Sequence, residues 1–567
     1  MISELEWDKF LFEINSAPQN SLDVVILLSA LIPPSYLYND RDWLDKSVQA
    51  LRPGGLLFVQ GKPEDLPNLG VYLDERLTFK YWIAVESAPR QVTAGLPSTH
   101  IGLLLLSKGK TFDIQKVRFP HQTCQACGRP LRDWGGKAHL MHPDGVAISD
   151  VWKDLPLFDN SNALSMPVLE TIQKMIPVPP EGLKGLLAPK NDLALYSGII
   201  PSQKAAILEP TSSYHPLPQQ YPLPGFGDVN SPSWLNPPHP EGDNQWNRVI
   251  QGDIIETLRQ FPDESIDLVF ADPPYNLDKA YNTYNDEKDR HVYLEWCNAW
   301  LDEYIRILKP TGALYLLNLP RWAMYHAQYL NQRLHFQNWI VWDALSEPRG
   351  KIMPAHYALL FYTRQPTGFT FNYQDVSPLD SRFYCLRSSC IRQRKQRGEN
   401  QKEILTDIWW DIHRLKHRRD RDYHPCQLPE ALLERIIRLS SNPGDVVLDA
   451  LAGTGTTAVV AAQLGRQYVA IDVDENYVEI TRQKLNQIAA WGNVQRESTR
   501  RKRKPFSKKA LQLELQELAR QLGHLPSQEE VQRLSQYGLE AFLTTFPTWG
   551  KALKAAKLEV LDDRTHS

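Results

Sequence analysis

The sequence predicts a doubly wound α/β sheet that occurs twice along the chain and is followed by a small all-helical module. Three observations carry this prediction. From residue 246 to 490, apolar runs of strand length alternate with helical patterns, as in a parallel sheet covered by helices. Residues 1–185 repeat part of that stretch in nearly constant register. From Leu511 onward, Leu513, Leu515, Leu518, Ala519 and Leu522 recur at helical spacing.

The repeat is legible residue by residue. Leu51-Arg52-Pro53-Gly54-Gly55 matches Leu308-Lys309-Pro310-Thr311-Gly312, and Asp150-Val151-Trp152 matches Asp407-Ile408-Trp409. Tyr72-Leu73, Arg76-Leu77, Phe79 and Trp82-Ile83 match Tyr329-Leu330, Arg333-Leu334, Phe336 and Trp339-Ile340. Five segments follow: a degenerate first copy (1–185), a proline-rich linker (186–245), a complete α/β domain (246–490), a basic hinge (491–509) and a helical module (510–567).

Composition sets the outer limits. A chain of 567 residues exceeds one compact core. Hydrophobic residues at 42% and charged residues at 23% are an ordinary soluble balance. Six cysteines make no disulfide framework, so a reducing cytoplasm is expected. Val24–Ile32 is too short to span a bilayer and follows an acidic segment, which excludes a signal peptide and reads as a buried strand. The net charge of −3 does not mark a nucleic-acid binder, yet basic residues cluster at 392–397, 413–421 and 500–509.

Two motifs carry chemistry. Ile266-Asp267-Leu268-Val269-Phe270 reads as a buried parallel strand, and Asp272-Pro273-Pro274-Tyr275 stands at its carboxyl end, where open α/β sheets bind ligands. The prolines stiffen the turn and lack backbone donors. A carboxylate and the Pro273 carbonyl there can accept both hydrogens of an exocyclic amine. Tyr275 would stack on a base flipped from a duplex. The second motif is a strand, Val446-Val447-Leu448-Asp449, then the turn Ala452-Gly453-Thr454-Gly455-Thr456-Thr457, then a helix from about Ala458. Glycines allow close backbone approach, and a helix N-terminus suits a polar nucleotide-like tail. The next strand ends in Asp472, about 20 residues on, where an acid reaches a ribose hydroxyl. A nicotinamide dinucleotide site is the rival reading, and the fuller G-x-G-x-x-G pattern it needs is missing.

Together these motifs resemble the β class of S-adenosylmethionine-dependent DNA amino-methyltransferases, in which the catalytic tetrapeptide precedes the cofactor turn. Gly252-Asp253 resembles the segment that contacts the cofactor adenine. His424-Pro425-Cys426-Gln427-Leu428-Pro429 resembles the segment beside its methionine part, with Leu428 in place of the usual lysine. Asp449–Thr457 resembles the cofactor turn, with Ala450-Leu451 in place of Pro-Phe. The resemblance implies catalysis by Asp272, Pro273, Pro274 and Tyr275. It implies cofactor contacts from Gly252, Asp253, His424, Gln427, Asp449, Ala452, Gly453, Gly455, Thr456 and Asp472. An aspartate heading the tetrapeptide resembles the adenine-N6 members, with cytosine N4 the alternative. RNA or protein-glutamine methylation and a catalytically dead DNA-binding protein are further readings. In the first copy Leu28-Ser29-Ala30-Leu31 replaces the tetrapeptide, and Gly185-Leu186-Leu187-Ala188-Pro189 stands opposite the glycine turn, so it is expected to bind neither cofactor nor base.

The segment from about 365 to 423 matches the family's target-recognition region and carries Arg392, Arg394, Lys395, Arg397, Arg418 and Arg419 as candidate double-stranded DNA contacts. At the corresponding place in the first copy, Cys124, Cys127, His139 and His142 are candidate ligands of a structural zinc. The C-terminal module, with Pro526-Ser527 as a helix start and Phe546-Pro547-Thr548-Trp549, resembles the helical DNA-binding repeat associated with homing endonucleases. The resemblance implies a restriction–modification, defence or orphan setting in a cytoplasm, with any cognate nuclease a separate chain. Family members often pair as homodimers, so either a homodimer or a monomer with an internal pseudo-dimer is expected.

Overall fold

The computed structural model describes residues 2–131 (except 39–40 and 91–93), 141–189 (except 154, 156–163 and 179–181), 246–276, 288–344, 350–414 (except 386 and 399–401), 427–491 and 508–558 (except 544, 547 and 557). Residues 190–245 of the proline-rich stretch, most of the basic hinge, and His139, Arg418, Arg419 and His424 lie outside the described residues, while Leu186–Ala188, expected in the linker, belong to a strand. No described helix is long and apolar enough to cross a membrane.

Two mixed sheets form the α/β part. The first contains β1 (Ile2–Glu4), β2 (Leu22–Leu28), β3 (Leu51–Gly61), β4 (Thr78–Arg90), β5 (Ser98–Ser107), β8 (Val151–Trp152) and β9 (Gly185–Ala188), in the order β1-β9-β2-β3-β5-β4-β8. A two-stranded ribbon, β6 (Arg118–Phe119) with β7 (Val146–Ala147), lies between β5 and β8 in sequence. The second sheet contains β10 (Arg248–Gln251), β11 (Ile266–Ala271), β12 (Leu308–Asn318), β13 (His335–Asp343), β14 (His356–Thr363), β17 (Ile408–Trp409), β18 (Val446–Asp449) and β19 (Gln467–Asp472), in the order β10-β19-β18-β11-β12-β14-β13-β17. A second ribbon joins β15 (Leu379–Asp380) to β16 (Lys402–Glu403).

From β9 to β8 the first sheet reproduces β18 to β17 of the second in order and direction. The irregularities repeat too. Each sheet has a break in register early in its central strand, between Leu22 and Val24 and between Ile266 and Leu268. The local reason is shared: Arg52 pairs with Asp23, and Lys309 with Asp267 at 2.8 Å. A Cβ on Gly55 or Gly312 would stand 3.2 or 2.9 Å from the Asp23 or Asp267 carbonyl, so only glycine lets the strands approach there.

The structure corrects two expectations about the first copy. Val24–Ile32 is not one strand, because β2 ends at Leu28 and Ser29–Leu31 forms a 3₁₀ turn. Gly185–Ala188 is not the counterpart of the glycine turn: it pairs with Val24–Leu27 as β18 pairs with β11, and so is the strand before that turn. Beyond β9 the parallel neighbour is β1, from the chain's beginning, where the second sheet has β19.

The two halves pack through equivalent surfaces. Trp82 of β4 stacks on Trp339 of β13, with ring centroids 3.8 Å apart and planes within 11°. The helix Leu66–Asp74 lies against the helix Pro320–Leu330, where a Cβ on Gly70 would stand 2.4 Å from the Met324 sulfur. Buried carboxylates are exchanged across the seam. Asp150 of the first half accepts the Ala355 and His356 amides at 2.7 and 3.0 Å. Its counterpart Asp407 accepts the Thr99 amide and hydroxyl at 2.7 and 2.8 Å, with the His100 ring 3.0 Å from its other oxygen. Leu96 exchanges amide and carbonyl bonds with Asn338, and Tyr81, the residue matching Asn338, donates to the Ile352 carbonyl.

The C-terminal unit, Gln495–Ser567, folds around its own core. Helices Lys508–Leu522, Gln528–Leu534, Gly538–Leu543 and Trp549–Ala555 bury Leu511, Leu515, Leu518, Val531, Phe542 and Phe546. Ser527 caps the second helix in a reciprocal box with Glu530, as the Pro526-Ser527 signal predicts. Leu513 departs from the expected stripe and is 55% exposed, because the buried face follows 511, 515 and 518.

Replacing Asp407 by alanine leaves the buried Thr99 amide and hydroxyl without their acceptor, at roughly 1–3 kcal/mol for each unsatisfied group. We expect the urea midpoint of the α/β part to fall clearly. A midpoint equal to the parent's would show that the carboxylate does not hold the halves together.

Candidate active site

The carboxyl ends of β11, β18 and β19 meet the turn after β10 around a cavity of about 310 Å³. Gly252, Asp253, Asp272, Pro273, Pro274, Tyr275, Gln427, Asp449, Ala452, Gly453, Thr456 and Asp472 all line it. The two sequence motifs, about 175 residues apart, therefore face one space. Gly455 does not line it. Its φ of 74° and the contact its Cβ would make with Thr481, at 2.3 Å, make it a packing glycine before the helix Thr456–Gln463.

The cofactor-like side of the cavity is built by backbone amides and two buried acids. Asp449 accepts the Thr457 hydroxyl at 2.6 Å and the Leu451 amide at 3.1 Å. Asp472 accepts the Gly453 amide at 2.8 Å and the Asp474 amide at 2.9 Å, while its own carbonyl takes the Gly252 amide at 3.1 Å. Burial pushes both carboxyl groups up to about 6 against these hydrogen bonds, which pull the other way. Asp253 caps the helix Ile254–Leu258 by accepting the Ile255 and Glu256 amides. The helix Glu475–Trp491 clamps the turn from behind, with Lys484 donating to the Thr454 carbonyl at 2.7 Å.

On the other side, the last two carbonyls of the tetrapeptide are held in place. Tyr293 donates to the Pro274 carbonyl and Trp322 to the Tyr275 carbonyl, both at 2.8 Å. Tyr293 in turn accepts from Asn318, at the end of β12. Tyr275 donates to Asp272 at 2.8 Å and is only 5% exposed, with its ring tilted against Tyr357. The expected stacking face is thus turned inward here. Trp322 belongs to the helix that the first half grips: Asp74 accepts from Arg321 at 3.0 Å and from Tyr325 at 2.9 Å. Sequence reading missed Tyr293 and Trp322, because aromatic residues on helices read as core, and Asn318, a lone amide at the end of a strand.

In the recognition segment the helix Ser388–Arg397 leaves Arg392, Lys395 and Arg397 exposed. Arg394 is not a DNA-facing residue in this arrangement. It is 6% exposed, lies over the Tyr384 ring and donates to the Cys385 carbonyl, because it shares the inward helix face with Cys390 one turn earlier.

The expected cysteine–histidine set is also corrected. His142 is exposed, its ring turned to Asp144. Cys124 and Cys127 face Cys385 and Cys390 of the second half instead, and the four sulfurs all lie within 4.8 Å of one another.

Comparison with known proteins places this geometry. The DNA methylase family matches residues 266–483. Type II methyltransferase M.HpaI of Haemophilus parainfluenzae is 36% identical over 244 residues, 42% of this chain and 74% of that protein. The chain belongs to the DNA methylase family. The methylase region is also 38% identical over 242 residues to Type II methyltransferase M.BamHI of Bacillus amyloliquefaciens, spanning 42% of this chain but only 56% of that relative. It is 30% identical over 250 residues to DNA adenine methyltransferase YhdJ of Escherichia coli K12, 43% of this chain and 84% of that one. Residues 506–559 match the homing endonuclease associated repeat.

At this cavity, Trp322→Phe keeps an aromatic side chain, though a smaller one, and removes the hydrogen bond to the Tyr275 carbonyl. We expect kcat to drop about tenfold, the equivalent of one hydrogen bond of about 1.4 kcal/mol, with cofactor affinity unchanged. An equal loss in cofactor Kd would mean that Trp322 only holds the fold.

Proposed function

We propose that the protein transfers a methyl group from S-adenosylmethionine to the exocyclic amine of a flipped base in double-stranded DNA, adenine N6. The observation that carries this reading is the single cavity shared by Asp272–Tyr275 and the glycine turn. Its size lies within the range of small-molecule sites.

The lining fits the cofactor. The Gly453 turn and the start of the helix Thr456–Gln463 suit its polar methionine end, Asp472 its ribose, and Gly252-Asp253 with Ile254 and Val473 its adenine. When bound, S-adenosylmethionine supplies an electrophilic methyl group. Asp272 and the Pro273 carbonyl accept the two amine hydrogens and turn the nitrogen lone pair out of conjugation. The Pro274 and Tyr275 carbonyls are taken by Tyr293 and Trp322, whereas the Pro273 carbonyl accepts no bond from the described residues. Stacking on the base requires Tyr275 to swing from Asp272 and give up its hydrogen bond to that carboxylate. The nitrogen, once methylated, carries a positive charge and releases its acidic proton to water, so the site needs no strong base. Aspartate at position 272 favours adenine; methylation at cytosine N4 is the alternative outcome.

The first half supports this reading as a built-in partner. Its sheet matches the second, it has no counterpart of the tetrapeptide after Leu28, and it grips the helix that positions Tyr275. In this reading it is a duplicated copy that replaces a second subunit, and Arg392, Lys395, Arg397 and the C-terminal repeat hold DNA. The restriction–modification setting and a separate cognate nuclease belong to the same proposal.

Two outcomes test it. With labelled S-adenosylmethionine and duplex DNA, Asp272→Ala loses transfer by at least a thousandfold and keeps cofactor binding; near-parental rates would refute the assignment, and sequencing of the product distinguishes adenine from cytosine. Second, cofactor hydroxyls and the ammonium group favour ionised carboxylates. The raised Asp472 and Asp449 groups therefore lose these bonds as pH falls through about 6. Calorimetry is expected to show cofactor affinity constant above neutrality and, by pH 5, roughly tenfold weaker for each of the two acids that must ionise, one proton per acid being released on binding. Affinity that stays flat down to pH 5 would remove these acids from the binding site.

A further inference from the structure

Four of the chain's six cysteines converge on one point of the seam between the two halves. Cys124 and Cys127 stand in a tight turn of the first half, closed by the Gly128 amide on the Cys124 carbonyl at 2.8 Å, with Gly128 at a φ of 66°. Cys385 precedes the helix Ser388–Arg397, and Cys390 lies in its first turn. The Cys124 and Cys390 sulfurs are 3.6 Å apart, and those of Cys127 and Cys385 3.7 Å. A disulfide bond needs about 2.05 Å, so these are not disulfides. Four thiolates each about 2.3 Å from a tetrahedral zinc stand about 3.8 Å from one another.

From this geometry we propose a structural zinc site of four thiolates, Cys124, Cys127, Cys385 and Cys390, that cross-links the first half to the recognition segment. The surroundings suit a metal thiolate centre. The Cys385 amide points at the Cys124 sulfur at 3.3 Å, as amides do toward thiolates. Arg394 is buried beside the Cys385 carbonyl, and Arg387 donates to the Pro130 carbonyl, placing two cations against an anionic centre. The Gln125 amide donates to the Phe383 carbonyl at 3.1 Å, and Arg382 meets Glu86 at 2.6 Å, so both sides of the centre are fixed across the seam. Four soft ligands with no open position make a closed site, which holds structure rather than reacting. The centre sets where the helix carrying Arg392, Lys395 and Arg397 stands, so it acts on DNA binding and not on cofactor binding.

The test uses the full chain purified without added metal. Elemental analysis is expected to find one zinc per chain, released by a mercurial thiol reagent. Cobalt exchanged into the site is expected to show the visible bands of a tetrahedral tetrathiolate. Cys124→Ser and Cys390→Ser, one from each half, are each expected to lose the zinc and to weaken binding of a DNA duplex at least tenfold while keeping cofactor affinity. Cys297→Ser, buried elsewhere, is expected to keep the metal. Parent protein without stoichiometric metal, with iron in its place, or with disulfides by mass spectrometry would overturn the proposal. So would zinc retained in both serine variants. Because these readouts include the metal content of the unaltered chain, a variant that fails to fold does not rescue the idea. Loss of methyl transfer with the zinc intact would count against the proposed activity alone.

Discussion

The constraint on which the α/β part depends is the seam between the two sheets. Each half sends a buried carboxylate, Asp150 or Asp407, into backbone amides of the other. A buried carboxylate is tolerated only when fixed donors surround it, and those donors exist only when both halves are in place. The seam is therefore specific to this pairing, whereas the stacked Trp82 and Trp339 supply its apolar area.

From the seam a chain of contacts runs to the chemistry. Asp74 of the first half holds Arg321 and Tyr325, on the helix whose Trp322 fixes the Tyr275 carbonyl. A half without the tetrapeptide thereby contributes to the geometry of the half that has it. Under the proposed function this gives a physical reason for a first half without the tetrapeptide: its surface supports the half that carries it.

The second sheet shows how little a binding site needs once strand order is set. Parallel β11, β18 and β19 end on the same side, so the turns that follow them share one space. Glycines at 252 and 453, the amides of the turn and the ends of two acidic strands do the rest. In the first sheet β1 occupies the place of β19. That substitution removes the strand end that would carry the second acid.

Local patterns were legible without coordinates: Asp272–Tyr275 after an apolar strand, the Asp449–Thr457 turn, Asp472 at the end of the next strand, and the repeat in register. The motifs are encoded by neighbours within about thirty residues, where strand length, glycine and helix starts leave distinct marks, and the repeat by likeness of residue type alone. What only the tertiary structure decided are pairings across hundreds of residues. Gly185–Ala188 became a strand because Val24–Leu27 offered it a partner. Arg394 turned inward because its helix face also carries Cys390. Cys124 and Cys127 met Cys385 and Cys390. Spacing along a chain reports which residues can share an element, but only the packing of whole elements decides which side chains meet across a seam.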